Sequence, residues 1–150
     1  MNLLQINWLA IFVASLSTFA IGAIWFGPKT FYPMWIRALG RQVPTERVEM
    51  KGSETFAMFF GTYLGGLAQA VTLGFVISIA RSAAEGFNFA AGAFMGFILA
   101  VGIGAAASLG HRLFGQADFK VFAGFKVWII EVGADIVALT IAGAIIGAWV

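Results

Sequence analysis

Four stretches of this 150-residue chain stay apolar for longer than a soluble fold requires. They run over residues 6–26, 55–80, 87–109 and 127–150. The first three contain no charged residue, and the fourth contains two, Glu131 and Asp135. A helix needs about 20 apolar residues to cross a hydrocarbon core about 30 Å thick. Inside lipid every backbone N–H and C=O must find its partner within the protein, so each stretch is predicted to be a transmembrane helix. A membrane β-barrel is the other solution. It requires strands of about ten residues that alternate in polarity, and these runs do not alternate.

Composition agrees. The chain is 61% hydrophobic and 11% charged, against about 25% charged for an ordinary soluble domain. The expected class is all-α: one transmembrane domain over 1–150, an integral membrane four-helix bundle. A net charge of +2 is too small to suggest a nucleic-acid partner. The chain has no Cys, which excludes disulfides and thiolate metal sites. No Lys or Arg precedes Lys29. A secretory signal peptide begins with a positive segment, so the first apolar stretch is expected to be retained as a span.

The breaks between spans have local causes. Gly27-Pro28 should end the first helix, because proline lacks an N–H and disfavours helix in the residue before it. Ser53 suits an N-cap for the second helix, with Glu54 in its first turn. The short connection 81–86 should make the second and third helices antiparallel neighbours. The only long polar stretch is 28–51. Its first part mixes aromatic residues with Arg37 and Arg41 and reads as a short interfacial helix between the first and second spans, with Tyr32 and Trp35 at the membrane boundary.

Charge sets the expected orientation. The first and third connections share one side and hold Lys29, Arg37, Arg41, Arg47, Lys51, Arg112, Lys120 and Lys126, whereas the other side holds only Arg81. Cytoplasmic loops carry the excess of Lys and Arg, so both termini are expected outside the cytoplasm. On that placement Trp8 and Trp149 mark the outer interface, and Trp25, Trp35 and Trp128 the inner one.

Both ends of the chain carry a resemblance. The segment Asn7-Trp8-Leu9-Ala10 through Gly22-Ala23-Ile24-Trp25-Phe26-Gly27-Pro28, then Trp35, is similar to the family called domain of unknown function 1761. So are Leu113-Phe114-Gly115-Gln116 and Gly143-Ala144-Ile145-Ile146-Gly147-Ala148-Trp149. The resemblance implies a small four-helix bacterial protein of the inner (cytoplasmic) membrane and brings no assigned activity. The chain departs from the family pattern at Phe26-Gly27, where relatives usually carry Tyr-Ser. It departs again at Ala134-Asp135, where an aromatic-His pair is common, so no role of that His carries over.

Glu131 and Asp135 are four residues apart and share one helix face, which continues through Ala138 and Ala142. Small residues admit a neighbouring helix, so this acidic face should point into a bundle or an oligomer interface. A carboxylate near the bilayer midplane costs about 2.5–3.5 kcal/mol on insertion scales and marks a functional hypothesis by default. One reading makes Asp135 and Glu131 an intramembrane proton or cation site. The other makes them structural anchors, protonated or paired with Arg112, His111 or Lys126. Gln69, Ser15, Ser17 and Thr18 fall at a similar depth and could complete a polar centre or serve as helix–helix contacts.

Three Gly-xxx-Gly pairs, Gly61/Gly65, Gly92/Gly96 and Gly143/Gly147, favour close helix packing within a chain or between copies. Gly102, Ala106 and Gly110 continue that spacing in the third span. His111 is the only His, which leaves no zinc site and no Ser-His-Asp pattern. No phosphate-loop motif occurs. No cofactor, metal or enzymatic activity is expected.

Two functions of different class remain. The first is a homo-oligomeric channel- or transporter-like unit with an intramembrane carboxylate site. The second is a structural or accessory subunit of a larger membrane complex. Membrane lipids and either further copies or other membrane proteins are the expected partners.

Overall fold

The side chain of Asn7 opens the first helix by accepting a hydrogen bond from the Ala10 N–H at 3.0 Å, which satisfies one of the donors a helix start leaves unpaired. That helix, α1, spans Trp8–Trp25. It ends where the sequence predicts. The Thr30 hydroxyl donates to the Trp25 carbonyl at 2.8 Å, and the Phe31 N–H reaches the same carbonyl at 3.0 Å. The computed structural model describes residues 6–44, 46, 49–83, 85–115 and 121–149. Arg47, Gln116, Lys120 and the final residue of the fourth predicted span lie outside the described residues.

A short helix α2 (Tyr32–Ala38) follows, then α3 (Gly52–Ala83). Ser53 does not cap α3: the helix already includes Gly52, and the Lys51 carbonyl accepts from the Glu54 and Thr55 N–H groups, each at 3.0 Å. Asn88 caps the next helix by accepting from Ala90 and Ala91. That helix runs from Phe89 to Phe114 as α4 (Phe89–Leu99), a π-helical segment (Ala100–Ala105) and α5 (Ala106–Phe114). The last helix, α6, spans Val121–Ala148. It begins six residues before the predicted span, because the aromatic, Gly and Lys residues of 121–126 continue the helix beyond the apolar core. No strand occurs among the described residues.

Four of these helices are long and apolar enough to cross a membrane: α1, α3, the continuous Phe89–Phe114 helix and α6. The chain is therefore a multi-pass membrane protein of the helical-bundle class. Its centre is α6, which packs on α1, α2, α3, α4 and α5 and carries the largest share of buried residues. The start of α1 and the end of α6 meet on one side, where the Asn7 side chain donates to the Trp149 carbonyl at 3.1 Å.

The closest helix pair is α4 and α6. A Cβ built on Gly96 would collide with the Leu139 carbonyl oxygen, and one on Gly143 with the Gly92 carbonyl oxygen. Gly147 likewise lies against Asn88 and Gly92. Two Gly-xxx-Gly pairs thus face each other inside one chain, where backbone-to-backbone contact replaces side-chain packing. This pairing draws α4 onto α6, so α3 and α4, although joined by a short connection, touch only slightly. The third pair behaves differently. Gly61 and Gly65 have nothing within 4 Å of an added Cβ, nor have Gly102 and Gly110.

This contrast sets an expected outcome for thermal unfolding in detergent. Gly96→Ala and Gly143→Ala should each lower stability by about 1–3 kcal/mol or more, the range for forcing extra atoms into a close-packed contact. Gly61→Ala should leave it unchanged or raise it.

Candidate functional site

Three helices and one connection build the centre of the molecule. α1 and α3 run antiparallel: Thr18 lies against Gly66, and Ile11 lies against Gly74. The edge-to-face rings of Phe19 with Phe59 and Tyr63, at 6.3 and 6.1 Å, add to this pairing. α2 is held by aromatic contacts at the end of α1. Trp25 stacks on Phe31 at 4.3 Å, and Phe26 meets the edge of Trp35 at 5.4 Å. Trp25 also rests on Gly133 and donates its indole N–H to the Ile130 carbonyl at 2.9 Å.

These contacts deliver Trp35 to Glu131. The Trp35 indole N–H donates to Glu131 Oε1 at 2.9 Å. Arg112, at the end of α5, donates from Nε to Glu131 Oε2 at 2.6 Å. Both carboxylate oxygens thus hold a donor, one of them charge-assisted. Glu131 ties α2, α5 and α6 together. His111 and Lys126 do not join it, and their side chains form no ion pair among the described residues.

Asp135 has the opposite environment. It falls at the middle of α6 (Val121–Ala148), a helix about 42 Å long at 1.5 Å per residue. One turn from the paired Glu131, its carboxylate forms no ion pair or hydrogen bond among the described residues, where Arg112–Glu131 is the ion pair present. It lines instead a cleft of about 830 Å³ between α1, α3 and α6. The lining follows α1 from Thr18 to Pro28, α3 from Gln69 back to Met58, and α6 from Ala138 to Asp135 and Ala134, with Tyr32 and Trp35 of α2. One end of the cleft therefore lies at mid-span and the other beside the connection after α1. Ala138 and Ala142, on the same face of α6, are buried in the bundle.

The other expected polar residues separate. Gln69 lines the same cleft as Asp135. Ser15, Ser17 and Thr18 each donate to a carbonyl one turn earlier in α1, at 2.7–2.8 Å; of the three, Thr18 reaches the cleft. Gly65 also lines it. Trp8 and Trp149 are exposed at the terminal side. Trp25, Trp35 and Trp128 spend their indole N–H groups inside the protein, the last on the Ala105 carbonyl at 3.0 Å. They fasten helices to one another. Among the described residues no cluster of His, Asp and Glu suits a metal ion.

Sequence reasoning did not reach the Trp35–Glu131 bond or the aromatic walls of the cleft. The partners are 96 residues apart, and an aromatic residue near a helix end reads equally as a membrane anchor.

The Glu131 network predicts a coupled response. Arg112→Ala removes a charge-assisted partner from a half-buried carboxylate and should cost about 1–3 kcal/mol. Arg112→Ala combined with Glu131→Gln should cost less than the sum of the two single changes, as read by a double-mutant cycle in thermal unfolding.

Compared with known proteins, the chain matches over residues 9–147 the model of a family described as protein of unknown function (DUF1761). No curated protein matches the chain, and no solved structure does.

Proposed function

We propose for this chain, which belongs to the family of proteins of unknown function DUF1761, the role of a small transporter-like membrane unit, active as a homo-oligomer, in which Asp135 takes up a proton or cation from the central cleft. One observation carries the reading. Two carboxylates lie a turn apart on one helix; Glu131 has a donor on each oxygen, while Asp135 faces an 830 Å³ cleft. Glu131 is thereby assigned to structure, and the transported charge to Asp135. Intramembrane acidic residues that face a cavity mark proton and ion paths.

The direction of the cleft gives the proposal a polarity. One end of its lining is formed by Gly27, Pro28 and Tyr32, beside the connection that carries Lys29, Arg37, Arg41 and Lys51. Excess Lys and Arg mark the cytoplasmic side, so the cleft opens to the cytoplasm and both termini lie across the membrane, in the cytoplasmic membrane of a bacterium. Release to the other side requires α1, α3 and α6 to rearrange at Thr18, Gly66 and Ala138. A homo-oligomer suits Gly61, which no helix of its own chain approaches. The exposed Phe56 and Phe60 on the same helix suit a second copy as well.

The test is flux into liposomes that hold the purified protein and a trapped pH-sensitive dye, under imposed proton, Na⁺ or K⁺ gradients. The wild type should exceed protein-free liposomes. Asp135→Asn should lose at least tenfold of that flux without losing thermal stability. A wild type that conducts none of the three, or an Asp135→Asn protein with full flux, would sink the reading and leave the accessory-subunit alternative.

A further inference from the structure

We propose that the cleft binds lipophilic organic cations, with the cationic centre beside Asp135 and the apolar arms against the aromatic walls. This inference deepens the reading above and rests on Asp135 as the charge-bearing group of the cleft. It begins from size. A cleft of about 830 Å³ lies within the range of sites that enclose small organic molecules, about 300–1,000 Å³, and far exceeds what a single dehydrated metal ion fills.

The walls define the chemistry. Phe19, Phe26, Phe59, Tyr32 and Trp35 line the cleft, and aromatic faces attract organic cations. Among the described residues Asp135 is the only acidic side chain in the lining, and no Lys or Arg lines it. Arg112 is bound to Glu131, and Lys29 follows Pro28 at the end of the lining away from Asp135. A cation seated in the described lining is therefore in contact with one opposite charge and no like charge, whereas an anion seated there has Asp135 as its charged neighbour. A bare metal ion is a poorer fit, since hard cations take six or more oxygen ligands. Beside Asp135 the lining offers few side-chain oxygens, those of Thr18, Thr62, Tyr32 and Gln69. A neutral hydrocarbon chain would gain nothing from the carboxylate and would leave it buried without a counter-charge.

The glycines give a way to test the volume itself. Gly22 lines the cleft, and an added Cβ there meets nothing within 4 Å. Gly22→Leu thus brings a side chain into the cavity from a position where its Cβ is unobstructed, and leucine favours helix over glycine.

The experiment measures tetraphenylphosphonium binding to the full chain in nanodiscs, by equilibrium dialysis with protein-free nanodiscs as the blank. Tetraphenylborate, of the same shape and opposite charge, is dialysed in a parallel experiment. The expected result is saturable tetraphenylphosphonium binding and no saturable tetraphenylborate binding. Asp135→Asn and Gly22→Leu should each weaken it at least tenfold, with thermal unfolding temperatures near the wild type for Gly22→Leu. Should Asp135→Asn fail to fold, Gly22→Leu decides the matter alone. Binding that is absent, or unchanged in Gly22→Leu, or matched by saturable tetraphenylborate binding, overturns the organic-cation assignment. Asp135-dependent proton or alkali-cation flux without tetraphenylphosphonium binding overturns this inference and leaves the transporter-like reading standing; loss of both results overturns both.

Discussion

The contact on which the bundle depends is the one between two pairs of glycines. Gly92 and Gly96 of α4 meet Gly143 and Gly147 of α6 with backbone against backbone. In lipid no hydrophobic effect drives helices together, so association relies on close van der Waals contact. This contact places the Phe89–Phe114 helix along one side of α6 and leaves α1 and α3 to occupy the other. The cleft exists because the second side is less tightly filled: α1 and α3 close against each other at Ile11–Gly74 and Thr18–Gly66, while the lining of the cleft follows both helices from there toward α2.

The two carboxylates of α6 show how position along one face divides structure from chemistry. At Glu131 the face meets α2 and α5, and their donors arrive from both sides. Four residues on, at Asp135, it meets the cleft. Burying a charge requires compensating partners. Glu131 has them within the protein, whereas Asp135 is exposed to the cleft. Residue type does not separate the two, and neither does spacing.

The number of spans, their class and the end of α1 were legible in the sequence, because length, charge exclusion and proline chemistry act locally. So was the shared face of Glu131, Asp135, Ala138 and Ala142, which follows from helical period alone. The neighbour relations were not. A short connection at 81–86 argued for α3 beside α4, yet glycine contacts between residues about fifty apart bind α4 to α6. The site was half legible. Asp135 and Gln69 stand out as polar residues in apolar helices, and both line the cleft. Trp35 did not stand out, since its indole N–H has a buried use only once α2 is folded back onto α6. Gly61 and Gly65 carry the same spacing as the packed pairs and have no helix against them, so motif and contact are separable.

The π-helical segment Ala100–Ala105 ties two distant features together. A wide turn accommodates one residue more than an α turn, and one residue rotates everything beyond it by about 100° around the axis. The side of α5 that carries Arg112 is therefore aimed by the segment before it, and so is the Ala105 carbonyl that receives Trp128. Regularising Ala100–Ala105 to α-helix at unchanged length would swing Arg112 away from Glu131, whereas deleting one residue together with the wide turn would keep it in place. The length of this apolar stretch, and not only its composition, is thus part of how the acidic face of α6 is neutralised.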